Sequence, residues 1–227
     1  MSAASTSPAI SAPLLAIETA GSACSVALRL GAGQPPAHEI TATSYGHATA
    51  LAPMIQRVAK ATGIPLTALK GIAVSCGPGG FTGIRVGLAT ARAMALAIGC
   101  PIVGIGTFQA LAATAARSVG TLAARNLVVL DSRRSELFAL ELGPDLRPLS
   151  PPALLGADEI AARCKRGDAA LIADAELTQF AGLGGHSASA DAIAVAELAA
   201  SRIDLHLPAE PIYLRPPDIS QPKPRQP

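Results

Sequence analysis

At 227 residues the chain is long enough for one or two compact domains around a sizeable core. Half of it is hydrophobic but only 3% is aromatic, with no Trp, which suits helices packed closely on a sheet and not an RNA platform built on exposed aromatics. A net charge of +2, with no basic run longer than Arg133-Arg134, argues against a nucleic-acid-binding stripe.

Met1 to Pro13 carries no Lys or Arg and too few apolar residues for a signal peptide, and reads as a disordered lead. Leu14-Leu15-Ala16-Ile17 is an apolar strand ending at Glu18. A turn over residues 19–23 follows, then a second strand from Cys24 to Leu30 and a third from His38 to Ser44. His47, Leu51, Met54, Ile55 and Val58 fall at helical spacing, closed by Gly63 and Pro65. Pro53 fits if the regular turns begin near Thr49. Ile72 to Cys76 is a strand, Gly77 to Phe81 a glycine-rich turn, and Thr82 to about Ile98 a helix. Thr82 is read as its N-cap and Gly99 as its C′ residue, with Pro101 blocking continuation. Ile102 to Ile105 is a strand, and a helix starts at Thr107. The uncharged stretch Ala93 to Ala116 is long enough to span a bilayer. Gly99, Pro101, Gly104 and Gly106 break it into helix end, strand and new helix. No membrane contact and a cytoplasmic location are therefore expected. Four cysteines without a C-x-x-C pair agree, as free thiols of a reducing compartment.

Three meandering strands followed by helix, strand, helix, strand, helix, with right-handed crossovers, is the order of a ribonuclease-H-like or actin-like half. The second half starts in the same way. Leu127 to Leu130 ends at Asp131, a turn spans Ser132 to Ser135, and Glu136 to Leu142 is a strand. The repeated pattern suggests a degenerate duplication. Pro144 to Pro152 is a loop, Ala170 to Ala173 a strand, and Asp191 to Ile203 a helix. Pro216 to Pro227, with five prolines, is expected to be disordered. The fold expected is α/β and two-lobed, an actin-like (ASKHA) arrangement of mixed sheets flanked by helices. Its lobes would span residues 14–107 and 108–215.

The glycine-rich turn opens a helix, so its backbone N–H groups could meet an anion at Gly79, Gly80 and Thr82. The phosphate fingerprints fail, because no Lys completes G-x-x-x-x-G-K and Thr82 stands where G-x-G-x-x-G needs glycine. Two readings stay open: a tight turn that lets helix and sheet approach closely, or a phosphate cradle. The following helix is apolar nearly all round, with Arg85 and Arg92 on one face. One side meets the sheet, and the other meets either a partner or the chain's own second half. The candidate partner surface is His47, Leu51, Met54 and Ile55 on one helix with Phe81, Ile84, Arg85, Leu88 and Arg92 on the next. Glu18 and Asp131, each at a strand end, are residual candidates for holding a metal-bound phosphate, although acids so placed are more often turn-formers. The histidines form no H-x-x-x-H pair and Ser75-Cys76 lies in no G-x-S-x-G elbow. No metal site and no catalytic residue are assigned.

Leu15-Ala16-Ile17-Glu18-Thr19, Cys24 to Leu28, the helix around His47 to Ile55, and Gly77-Pro78-Gly79-Gly80-Phe81-Thr82-Gly83-Ile84-Arg85-Val86-Gly87-Leu88 resemble the TsaB (YeaZ) family. Asp131-Ser132-Arg133 and Pro211 to Arg215 resemble it more weakly. The resemblance implies a two-lobed actin-like fold. It also implies a non-catalytic dimerisation and activating role in the complex that transfers a threonylcarbamoyl group to the adenosine beside the anticodon of transfer RNAs. Its implied partners are a TsaD-type catalytic paralogue, a TsaE-type ATPase and, as an alternative, a second copy. Transfer RNA would be met through the complex only. ATP and a metal ion would sit in the partner subunits, with no cofactor on this chain. The catalytic paralogue carries an H-x-x-x-H pair where this chain has Thr107 and Leu111, neither able to replace a histidine ligand. Glu18 departs from the family's usual Asp. The alternatives are an independent actin-like ATPase or kinase, and a metal-free degenerate glycoprotease-like peptidase.

Overall fold

The computed structural model describes residues 10–41 and 47–215. Its first half is β1 (Leu14–Glu18), β2 (Cys24–Arg29), β3 (Ala37–Thr41), α1 (His47–Thr62), β4 (Gly71–Ser75), α2 (Phe81–Ile98) and β5 (Ile102–Ile105). After α3 (Thr107–Val119) the second half runs β6 (Asn126–Leu130), β7 (Glu136–Leu142), β8 (Ala153–Gly156), α4 (Ala157–Arg166), β9 (Ala170–Asp174), β10 (His186–Ala188) and α5 (Ala192–Ser201). The sheets are ordered β3-β2-β1-β4-β5 and β8-β7-β6-β9-β10. In each, the first three strands are antiparallel and the last two run parallel to the central one. The two halves share one topology, so the chain is a duplicated, actin-like pair of ribonuclease-H-like lobes. The second lobe is degenerate: a 3-10 segment, Thr178–Leu183, stands where α2 stands in the first.

The central strands are buried on both faces, which is why they read as unbroken apolar runs rather than alternating ones. On β1, Leu15 and Ile17 point to the outer layer and pack under α1 and α2 with Leu51, Met54, Ile84 and Leu88. Leu14 and Ala16 point inward, into a core shared with α3, α5 and the inner face of the second sheet, where Val128, Leu130 and Leu140 lie. Leu127, Val129 and Leu137 pack outward under α4 with Ile160. The two middle helices are exchanged: α5 lies on β1 and β2, while α3 lies against β6 and β9 and packs on α5. α5 starts where Asp191 Oδ1 accepts the N–H of Ala194, 2.8 Å away. α2 stops at Gly99, in the left-handed conformation at φ 75°.

The structure moves several expected boundaries. α1 begins at His47, not near Thr49, so Pro53 sits in the second turn, on the exposed face where the lost hydrogen bond borders water. The third strand ends at Thr41, and the expected remainder to Ser44 lies outside the described residues, as do residues 1–9 of the lead and the tail 216–227. Ile10, expected in the disordered lead, is instead buried in the shared core and packs over Gly71. The expected boundary between residues 107 and 108 falls inside the first turn of α3. α2 is long and apolar enough to cross a bilayer by length and composition, and its Ile84, Leu88, Ala91 and Ala95 pack on the sheet.

Candidate functional site

Four turns meet between the lobes: residues 19–22 after β1, 77–80 after β4, 131–135 after β6, and the end of β9. Glu18 is fully buried. Its Oε1 accepts the N–H groups of Ala20, at 2.7 Å, and Gly21, at 2.8 Å, while Oε2 has no partner. Burial raises its pKa to about 7, against the opposing pull of the Gly21 N–H, the neighbouring Ser75 hydroxyl and the Ala20 N–H. Asp131 closes its own turn by accepting the N–H of Arg133 at 2.7 Å, and it also pairs with the Arg133 guanidinium. Asp174, at the end of β9, is the acid that sequence reading missed. It accepts the Ser22 hydroxyl at 2.9 Å across the lobes, and burial raises its pKa. The signal was its strand-end position, equivalent to Ser75 in the first lobe.

The space left among these turns is about 10 Å3, room for one water at most. The glycine turn helps to close it. Gly80 donates its N–H to the Ala20 carbonyl at 2.8 Å, and a Cβ on Gly79 would overlap that same oxygen. Of the two readings of this turn, the close approach is what the geometry displays; Gly79 and Gly80 support the neighbouring β1–β2 turn. Thr82 is not the cap of α2. The helix begins at Phe81 with Gly80 as N-cap, no side chain caps it, and Thr82 lies exposed in the first turn.

The expected partner surface divides in two. Leu51, Met54, Ile55, Ile84 and Leu88 are core residues under α1 and α2, because the apolar stripe of each helix is turned to the sheet. The outer face instead shows Ala52, Gln56, Ala89, Ala93 and Leu96, the last 86% exposed. Phe81, Arg85 and Arg92 are exposed, but the chain's own end uses them. Residues 207–215 return across the first lobe as a strap. Leu207 and Gly104 exchange backbone hydrogen bonds at 2.8 and 2.9 Å, and Ile212 donates to the Cys76 carbonyl at 2.8 Å. Arg92 Nε donates to the Ala209 carbonyl at 2.9 Å. Arg85 Nε donates to the Tyr213 hydroxyl at 3.1 Å and its guanidinium sits 3.5 Å from the centre of the Phe81 ring. The side chain of His47 is outside the described residues. Thr107 and Leu111 are both fully buried in the shared core. Among the described residues no group of three or more His, Cys, Asp or Glu is placed to hold a metal ion.

A family model described as TsaD, tRNA N6-adenosine threonylcarbamoyltransferase, matches residues 41–151. The tRNA threonylcarbamoyladenosine biosynthesis protein TsaB of Escherichia coli is 36% identical over 132 residues, 58% of this chain and 55% of that protein. Its namesake in Haemophilus influenzae is 32% identical over 126 residues, 55% of this chain and 51% of that protein. The chain thus spans about half the length of the curated relatives it matches. A crystal structure from Pseudomonas aeruginosa, described as similar to peptidase YEAZ, superposes over 89% of this chain and 99% of its own with a TM-score of 0.74 and 25% identity. Half-length likeness in sequence and near full-length likeness in structure converge: across both lobes the chain is similar to TsaB (YeaZ) proteins.

Proposed function

We propose that the chain is a non-catalytic subunit of a threonylcarbamoyl-transferring complex, activating a TsaD-type paralogue that modifies the adenosine beside the anticodon of transfer RNAs. The observation that carries this reading is the likeness to two TsaB proteins named for threonylcarbamoyladenosine biosynthesis. Two features of the chain support it. Thr107 and Leu111, where the paralogue has its histidine pair, are sealed in the core, and the space between the strand-end acids is too small for a phosphate chain. The docking face is the outer side of α1 and α2, Ala52, Gln56, Ala89, Ala93 and Leu96, where small residues let a partner helix approach closely. A second copy competes for the same face. A TsaE-type ATPase completes the assembly, transfer RNA is met through the complex, ATP and metal belong to the partner subunits, and the place of action is the cytoplasm. An independent ATPase would need the closed cleft to open.

The test is reconstitution. With transfer RNA, threonylcarbamoyl-adenylate and ATP, the purified chain should yield no modified adenosine until the paralogue is added. Leu96→Glu should leave the melting temperature unchanged and abolish both association and modification. Product from the chain alone, or full activity with Leu96→Glu, overturns the reading.

A further inference from the structure

Every residue from His206 to Arg215 is half-buried or exposed, the apolar Leu207, Ile212 and Leu214 included. A cavity of about 130 Å3 lies between these three side chains and Phe108, Leu140 and Pro152 on the body of the protein. A gap there forfeits the dispersion contacts that a close-packed cover would make. What holds the strap is a row of directed bonds at its margin: Leu207 with Gly104, Ile212 with Cys76, Ala209 with Arg92, Tyr213 with Arg85, and the ion pair of Arg215 with Glu136 at 2.5 Å. Both α2 arginines are exposed, so water competes for their bonds. Few buried apolar contacts and water-accessible hydrogen bonds mark a segment that opens before the rest of a fold. The seat is nonetheless specific. Gly104 leaves room for the strap, since a Cβ there would lie 2.6 Å from the Pro208 carbonyl oxygen. His206 ties the base of the strap to α5, its Nε2 donating to the Ala199 carbonyl at 2.9 Å.

We propose that the strap is a detachable clasp: residues 207–215 leave the first lobe as one unit, pivoting at His206, while both sheets stay folded. Opening breaks the seam at Gly104 and Cys76 together and takes Ile212 off the strand end that leads into the glycine turn. Closing ties α2, through Arg85 and Arg92, to the start of β7, through Glu136. The fold contains its own reporter of this motion. Cys76 is fully buried beneath the strap, with its Sγ 3.5 Å from the Pro208 carbonyl oxygen. Cys24 is fully buried in the outer layer with Leu51 and Met54, sealed by the core and not by the strap. Burial pushes both thiols up to about 11, so the two differ in what covers them rather than in ionisation. The clasp is a property of the chain by itself and does not depend on the reading of the chain as an accessory subunit.

The experiment is thiol labelling of the native full-length chain with a small disulfide reagent, at several urea concentrations below the unfolding transition. Each cysteine is followed by peptide mass spectrometry, and amide hydrogen exchange is measured in parallel. Cys76 should label tenfold or more faster than Cys24, at a rate nearly independent of urea, whereas the Cys24 rate should climb with urea as global unfolding does. The amides of Gly104, Leu207 and Ile212 should share one protection factor, tenfold or more below those of β4. Arg85→Ala with Arg92→Ala should speed Cys76 labelling threefold or more and leave Cys24 unchanged. Equal labelling of Cys76 and Cys24 with the same urea dependence, strap amides as protected as those of β4, or an arginine variant with unaltered Cys76 labelling would each overturn the proposal.

Discussion

At the scale of single residues, Glu18 is where burial and charge conflict most. In the unfolded chain it titrates near 4.5 and in the folded chain near 7, so between those values the folded state binds more protons. Its contribution to stability therefore falls as pH rises from about 4.5 to about 7 and is flat above, by up to about 3 kcal/mol. Asp174, also raised by burial, slopes the same way, so the comparison must isolate Glu18. The difference in unfolding free energy between the wild type and Glu18→Gln should shift in favour of the variant between pH 5 and pH 8. Parallel pH profiles from denaturant melts would contradict this. The glycine turn makes a sharper test of packing. Gly79→Ala should cost about 1–3 kcal/mol through overlap with the Ala20 carbonyl. Thr82→Ala, at an exposed position that caps nothing, should stay within about 0.5 kcal/mol of neutral by the same melts. The strand-end position of Glu18 and Asp131 was legible in the sequence, because apolar runs stop there. That Glu18 is sealed, and that Asp174 answers Ser22 from 152 residues away, was not, since no local pattern encodes a contact between lobes.

At the scale of elements, α1 and α2 show how an apolar stripe misleads about partners. Leu51 and Ile84 are the residues a helical wheel selects, and for that reason they face the sheet. Leu51→Asp should cost more than about 3 kcal/mol by leaving a charge in the core, and lower the melting temperature before association is ever measured. Leu96→Glu, on the opposite face, should not. Arg85 and Arg92 looked like anchors for a partner because their contacts, with Tyr213 and Ala209, come from 128 and 117 residues further on. A double-mutant cycle of Arg85→Ala and Tyr213→Ala should show a coupling of about 0.5–1 kcal/mol in chemical unfolding; additive effects would mean that the stacked cluster contributes nothing. The elements found from sequence are those with buried apolar runs, helical apolar spacing or glycine punctuation: β1 to β7, β9, α1, α2, α3 and α5. Those missed are β8, α4 and β10. α4 buries only Ile160 fully along its length, and β10 has two of three residues exposed, so neither carries a periodic apolar signal strong enough to read.

At the scale of the whole molecule, the exchange of α3 and α5 means that neither sheet owns the helix that covers its inner face. The core that results is continuous from Leu14 through Leu111 and Val195 to Leu140. The two lobes should therefore melt as one unit: far-ultraviolet dichroism and hydrogen exchange of β4 and β6 amides should give a single midpoint, and two separated transitions would refute the shared core. The same exchange matters while the chain is being made. Leu14, Ala16 and Val103 are all synthesised by the end of β5, yet the helix that covers them, α5, ends at Ser201. At ordinary synthesis rates that leaves a finished apolar sheet face uncovered on the ribosome for roughly 5–20 s. The nascent first lobe is then a natural client for whatever shields hydrophobic surfaces at the exit tunnel, and the final turn of α5 is the moment of its release.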